Sequence, residues 1–505
     1  MNVAIIGAGW AGMAAAQALL EMGHAVSVFE ISHQPGGRAR GMTDRELGRI
    51  DNGQHLLIGA YRETLRLIDW ASAQEQAPVE TAQTPDNPDN PDSPDSPDSP
   101  HQTRYIRQPL NLVAADGALS LSVNPSLPPS IARIVALLSA GGLSFLERSR
   151  ALTLLGRLKL GVRQPSTGET VLEWLQRHKQ PVNLQQRLWI PLCLATMNTP
   201  AEKACAHLFA RVLRDSLLSP DQGATDLLIP KVDLTRLWID AVARRVRLAT
   251  GIQITDVTPG LEDTPSGSSQ VSVNGEVFDG CIIATPPAGA ARILEKWVTR
   301  PPADARLEAD QETLNKQLQD LAAFEFHPIT TCYIELQSPF RLPEPMLMLS
   351  SGHLPGAPSS CKPAIAQANL NPGQWVFDRS ATHSDVRRGQ LAFVISHAGD
   401  SMFDRSLLTN ALMKQLQREL AGSNVQASRS LASRIPDVLA SRIITEKRAT
   451  FAAIPGLRRP GYDTIWPHVK LAGDWTDTGY PAVLEGAVVS GQTAAVALAS
   501  SWNNA

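Results

Sequence analysis

The residues best suited to chemistry lie within the first thirty of this chain. Gly7, Gly9 and Gly12 stand in the order G-x-G-x-x-G around Trp10 and Ala11, and Glu30 follows 18 residues after Gly12. Gly7 suits a tight turn, and Gly9 leaves the backbone open to a pyrophosphate. Gly12 lets a helix lie close on a strand. Phosphates would then sit over the free N–H groups at the helix start. Glu30 is placed to accept hydrogen bonds from ribose hydroxyls, and an acid there disfavours a 2′-phosphate. The turn alone does not separate NAD from FAD.

Three further groups of residues could face such a cofactor. Gly36-Gly37-Arg38 forms a loop able to pass close over it, with Arg38 towards its phosphates. Asp51-Asn52-Gly53-Gln54-His55 is a polar cluster ahead of an apolar run. Near the other end of the chain, Val469 to Leu471 reads as a strand emptying into Gly473-Asp474-Trp475. Asp474, at that strand end, can bind ribityl hydroxyls or N–H groups near a phosphate. After the turn at Tyr480, Pro481 is expected to start an alanine- and valine-rich helix containing Glu485. The positive end of that helix would suit a ligand atom that becomes anionic. The N1–C2=O edge of a reduced flavin is such an atom, whereas nicotinamide gains none.

These residues need a scaffold, and the hydrophobic pattern supplies an α/β one. Val3–Ile6 and Ala25–Phe29 are short apolar runs flanking an alanine-rich helix, and Cys281–Ile283 reads as a buried strand ending in Thr285-Pro286. The expected architecture is a Rossmann-like dinucleotide-binding domain assembled from residues 1–75, 225–290 and 438–505. A mixed substrate domain is inserted in two parts, 104–224 and 291–437. Helices are expected at Tyr61–Trp70, Thr170–His178, Leu184–Ala195, Ala201–Leu218, Leu234–Ala249 and Asp404–Glu419. Strands are expected at Leu227–Pro230, Gly251–Ile254, Val271–Val273, Glu276–Asp279, Ile329–Leu336, Met346–Leu349, Trp375–Phe377 and Leu391–Ile395, and within Arg442–Thr450. The stretch 76–103 has a proline at every third position from Pro85 to Pro100, with Asp, Asn or Ser between, and reads as a disordered excursion. Residues Ile131 to Leu160 combine apolar runs with Arg133, Arg148, Arg150, Arg157 and Lys159 against the single acid Glu147. That composition suits a helical cap facing a membrane surface, or equally an ordinary core helix with a basic face.

Composition narrows the function classes. At 505 residues the chain exceeds one ordinary core. A net charge of −3 exerts no global pull on nucleic acid. The five cysteines, Cys193, Cys205, Cys281, Cys332 and Cys361, are scattered without a C-x-x-C pair. This argues against a disulfide framework or a zinc site and fits a reducing compartment. With the first strand almost at the start, no signal peptide is expected. No apolar stretch reaches the ~20 residues of a membrane span.

Taken in order, Gly7–Gly12 with Glu30, Gly36-Gly37-Arg38, Cys281–Pro287 and Leu471–Asp474 resemble the flavin-containing amine oxidase and phytoene desaturase superfamily. Asp51–His55, Pro191–Asn198, Lys447–Phe451 and Gly473–Gly486 are similar to its squalene-associated branch, the hydroxysqualene dehydroxylases. The resemblance implies FAD held through Gly7, Gly9, Gly12, Glu30, Gly37, Arg38, Gly473 and Asp474, with Trp475, Tyr480 and Pro481 near the isoalloxazine. It implies reductive removal of an allylic hydroxyl from hydroxysqualene, in squalene supply for hopanoids, and no metal.

Such a reaction needs a proton donor near the departing oxygen. Asp51, His55, Tyr480 and Glu485 are the candidates, each with a supporting hydrogen bond behind the site or a helix cap as the structural alternative. The implied partners are a long isoprenoid substrate, an unidentified electron donor, a membrane surface and transient contacts with upstream enzymes. The expected location is cytoplasmic, peripheral to the inner membrane. A carotenoid-type desaturase would share these features. An amine oxidase would call for an aromatic cage, and no closely spaced aromatic pair is evident in the right segment. A non-catalytic flavoprotein would not need so large a substrate region.

Overall fold

The computed structural model describes residues 1–76, 103–259, 270–298, 307–350, 371–383, 386, 388–397 and 405–503. A parallel five-stranded sheet runs in the order Arg247–Thr250, Ala25–Glu30, Asn2–Ile6, Gly280–Ile283, Val469–Leu471. Both faces of its central strands are buried, so their apolar runs are nearly continuous, as expected for a parallel sheet. Val3, Ile5, Val28 and Ile282 enter one core, and Ala4, Ile6, Phe29, Cys281 and Ile283 enter the other. The helices Trp10–Glu21 and Leu484–Asn503 cover the first face. They pack so closely that a Cβ on Gly491 would lie 2.0 Å from the Ala11 carbonyl oxygen. On the second face lies an antiparallel layer of Val257–Pro259, Val271–Val273 and Glu276–Phe278.

The remainder forms the wall opposite the dinucleotide unit. An antiparallel sheet has the order Met346–Met348, Trp375–Asp378, Gln390–Ser396, Phe326–Leu336, Val438–Phe451. Beside it lie the helices Pro129–Leu138, Phe145–Lys159, Val171–Arg177 and Ala206–Asp215. The rod Val182–Met197 passes through a π-helical turn at Gln185–Trp189. Two of these helices start with reciprocal capping boxes, Ser144 with Glu147 and Thr170 with Glu173. No described helix is long and apolar enough to cross a membrane.

Several elements depart from the sequence expectations. The helix expected at Leu234–Ala249 ends at Ala243, and Arg247–Thr250 becomes the edge strand beside Ala25–Glu30. Pairing with an open sheet edge outweighs helix propensity there. Ile252–Thr255, expected to include a strand, runs irregularly along the cavity described below. Leu227–Pro230 is a strand, but it pairs with Leu57–Ile58 and Tyr105–Gln108 outside the parallel sheet. The last helix starts at Leu484, so Pro481 lies ahead of it in irregular chain. The helix expected at Ala201–Leu218 is shortened to Ala206–Asp215. The Pro85–Pro100 run and Cys361 fall outside the described residues.

Candidate functional site

One cavity of about 960 Å³ lies between the parallel sheet and the opposing wall. Gly7, Gly9, Trp10, Ala11, Glu30, Gly37, Arg38, Gly473, Asp474 and Tyr480 all line it, so both chain ends meet around one space. Gly12 and Pro481 do not. Gly12 works from behind: a Cβ there would lie 1.9 Å from the Gly7 carbonyl oxygen, which would prise the helix off the turn. Gly7 itself has φ +105°, a conformation that favours glycine.

The glycine turn is shaped to receive a dinucleotide. Gly9 caps the helix Trp10–Glu21 without a side-chain hydrogen bond, leaving first-turn N–H groups for an anion at the cavity wall. The Gly36-Gly37 loop crosses directly above, with the Gly36 N–H donating to the Ala8 carbonyl at 2.8 Å. Glu30 accepts from the Ala8 N–H at 2.7 Å and the Ser32 N–H at 2.8 Å, which aims its carboxylate at the turn. Thr285 Oγ1 is buried on the same cavity without a protein partner. These donors, acceptors and bare backbone fit FAD. Arg38, expected towards phosphates, pairs instead with Asp474 at 2.5 Å and donates to the Ala449 carbonyl at 2.9 Å. The pair ties the first loop to the C-terminal segment.

The four proton-donor candidates divide between cavity and scaffold. Asp51 is 2% exposed and off the cavity. It accepts the Leu234 N–H at 2.8 Å, and burial pushes its pKa up to about 7 despite the Arg379 charge. Glu485 is also off the cavity, accepting from the Glu63 and Thr64 N–H groups, both at 2.9 Å, and from the Thr64 hydroxyl at 2.7 Å. It caps the helix Arg62–Gln76. His55 and Tyr480 line the cavity. His55 Nδ1 lies 2.7 Å from the Gly53 carbonyl oxygen, which can only accept, so the proton sits on Nδ1. Burial lowers the His55 pKa, so the ring is neutral and its Nε2 is an acceptor. Burial, then the Asp215 charge, raise Tyr480, which keeps its proton at neutral pH.

Three more residues join the site across large sequence separations. Tyr61 lines the cavity, its pKa raised by burial and then by Glu485 and Tyr480. Tyr61 and Tyr480 reach the same cavity from opposite ends of the chain. Asp215 also lines the cavity and holds Arg211 at 2.6 Å, whose guanidinium stands 5.0 Å over the Tyr480 ring. The helix carrying both is strongly amphipathic in sequence, but nothing local marks Tyr480 as its partner. The rest of the wall is largely apolar, including Leu110, Leu121, Phe209, Leu213, Met346 and Phe377.

Residues 10–499 match the family model described as flavin containing amine oxidoreductase. The chain is 27% identical to the hydroxysqualene dehydroxylase of Rhodopseudomonas palustris, covering 98% of this chain and 97% of that protein. It is 24% identical to the hydroxysqualene dehydroxylase of Zymomonas mobilis, with 97% of each covered. Similarity to a zeta-carotene desaturase of Solanum lycopersicum is 38% but covers only 16% of this chain and 14% of that one. Among solved structures, a putative protoporphyrinogen oxidase from Exiguobacterium superposes with TM-score 0.60 at 14% identity over 99% of both chains. A putrescine oxidase bound to putrescine gives TM-score 0.59 at 16% identity, again over 99% of both.

Proposed function

We propose, from the premise that this chain belongs to the flavin containing amine oxidoreductase family, that it reductively removes the allylic hydroxyl of hydroxysqualene to give squalene for hopanoid synthesis. It is an FAD-dependent oxidoreductase. The observation that carries the substrate reading is the continuity of the cavity, in which dinucleotide-type residues and a long apolar wall share one space. A hydrocarbon with a single polar group fits such a wall better than a small charged amine does.

When bound, FAD supplies hydride chemistry, and the chain's residues supply position and a proton. Gly7, Gly9, Trp10, Ala11, Glu30, Gly37, Gly473 and Asp474 would hold the cofactor, with Arg38 fixing Asp474. As the allylic C–O bond breaks, the carbon gains a hydride and the oxygen leaves as water after receiving a proton. The phenols of Tyr480 and Tyr61, which keep their protons at neutral pH, are the candidates on the cavity for giving that proton. His55 Nε2, an acceptor, suits the hydrogen of the substrate hydroxyl and orients it. A phenol that has given its proton is reloaded from solvent. The reductant is an external donor that docks transiently or shares the active-site face, since the sequence holds one G-x-G-x-x-G turn.

The cap completes the reading. We place it against a membrane surface, because its helices expose Ile131, Ile134, Phe145 and Leu146, and Leu160 just beyond them, while Ala136, Leu137 and Leu155 of the same helices line the cavity. Anaerobic, photoreduced protein mixed with hydroxysqualene tests the reaction. Flavin reoxidation with stoichiometric squalene is expected, and neither phytoene nor an amine should substitute. Flavin that stays reduced beside properly dispersed hydroxysqualene would rule the reaction out.

A further inference from the structure

Behind the C-terminal turn lies a half-buried guanidinium that the reaction above does not use. Arg459 donates through Nε to the Trp475 carbonyl at 3.2 Å and through Nη1 to the Tyr480 carbonyl at 2.5 Å. Its Nη2 reaches the Asp474 carbonyl at 2.9 Å, the Thr478 hydroxyl at 3.3 Å and the Thr476 carbonyl. One side chain thus gathers acceptors from five residues of a seven-residue turn, Asp474–Tyr480. Its guanidinium stands 4.9 Å over the Phe451 ring, at the end of the substrate-side strand Val438–Phe451. Phe451 packs edge-on to Phe324, which packs edge-on to Trp475, so the arginine and the turn share one aromatic support. The Asp477 N–H returns to the Pro460 carbonyl at 2.9 Å and closes the arrangement.

Asp474, Trp475 and Tyr480 line the cavity, and Arg459 does not, so the turn lies between the guanidinium and the cofactor space. Carbonyls directed at Arg459 have consequences on the other side. In a trans peptide the N–H points opposite to the C=O. With the Asp474 carbonyl held by Arg459, the Trp475 N–H is directed away from it. Burial lowers the Arg459 pKa, and the charges of Asp477 and Asp474 oppose that shift. An arginine keeps its charge under such conditions.

We propose that Arg459 is the positioning residue for the cofactor's C-terminal contacts, fixing Asp474 and Tyr480 in the cavity and placing a permanent positive charge behind them. This rests on the FAD reading given above. A planar guanidinium has five N–H donors in a fixed fork, and the five acceptors use its breadth; an ammonium cannot span them. Charge and geometry are therefore separable by substitution.

The experiment compares wild type, Arg459→Lys and Arg459→Ala, each stripped of flavin and titrated with FAD. Flavin fluorescence, the visible spectrum and the midpoint potential are the readouts, and far-ultraviolet circular dichroism reports the fold of each apoprotein. Arg459→Lys should bind FAD at least tenfold more weakly, with an altered visible envelope but a potential close to wild type. Arg459→Ala should weaken binding at least a hundredfold and lower the potential, because a cation that favours the reduced, anionic cofactor is gone. If Ala yields no folded protein, the Lys variant alone decides the matter. FAD affinity within twofold of wild type and an unchanged spectrum in the Lys variant would overturn the proposal. Wild-type apoprotein that takes up no FAD would instead sink the cofactor reading beneath it.

Discussion

At the scale of single residues, similar side chains take different roles according to what surrounds them. His55 and Tyr480 share the cavity, yet the Gly53 carbonyl commits the imidazole to accepting, while burial keeps the phenol protonated. Tyr61 is the same kind of acid as Tyr480 on the same cavity. Removing one phenolic proton should therefore slow the chemical step without disturbing the cofactor. Tyr480→Phe and Tyr61→Phe are expected to bind FAD with wild-type spectra. In single-turnover oxidation of the photoreduced protein, one of the two should lose about 10²–10⁴-fold in rate, the range of a general acid. Wild-type rates in both single variants and in the double variant would remove the phenols from the mechanism. The candidates could be picked from sequence as titratable residues near motifs. Their division into cavity and scaffold could not, because it depends on which backbone N–H each carboxylate meets.

At the scale of elements, Asp51 and Glu485 show how the molecule uses its other two candidate acids. Each satisfies backbone donors at the start of a helix from a distant piece of chain: Asp51 the Leu234 N–H, and Glu485 those of Glu63 and Thr64. Asp51 carries a measurable signature. Its folded pKa of about 7 lies above the ordinary carboxylate value, so between roughly pH 4 and 7 the folded state holds a proton that the unfolded chain has lost. Stability from this group therefore falls as pH rises through that window, by up to about 4 kcal/mol in all. Asp51→Asn keeps the acceptor for Leu234 and removes the titration. Its unfolding free energy should match wild type near pH 4 and exceed it above pH 7, read by denaturant titration. A variant that is less stable at pH 8 would mean that Asp51 is ionised and held by Arg379. The dinucleotide unit was legible because strand, turn, helix and strand are contiguous and their spacing is local. Arg247–Thr250 was not, since only the free edge beside Ala25–Glu30 makes a strand of it. Tyr61 leaves no local trace, because its neighbours Tyr480 and Glu485 lie at the other end of the chain, and Arg459 leaves none because only the folded turn brings its five acceptors together.

At the scale of the whole molecule, the proposed membrane contact of the cap gives a water-insoluble substrate a route to the cavity. The helices Pro129–Leu138 and Phe145–Lys159 present apolar side chains on both sides, which an ordinary core helix does not. Phe145 is 80% exposed and Leu160 78%, with Ile131, Ile134, Leu138, Leu146 and Val162 also exposed on the same stretch. Lys159 and Arg163 stand exposed nearby. Apolar side chains flanked by cations suit the boundary of an anionic bilayer, where a buried Phe or Leu contributes about 1.5–3 kcal/mol each. The double variant Phe145→Asp, Leu160→Asp should therefore lose at least tenfold in co-sedimentation with phosphatidylglycerol vesicles. Its KM for vesicle-borne hydroxysqualene should rise in parallel, while turnover of detergent-dispersed substrate stays near wild type, since neither residue lines the cavity. Neutralising Lys159 and Arg163 should weaken binding to anionic vesicles but not to phosphatidylcholine. A wild-type protein that remains in the supernatant with both vesicle types would show that the cap meets something other than lipid, and the apolar route into the cavity would then need a protein donor.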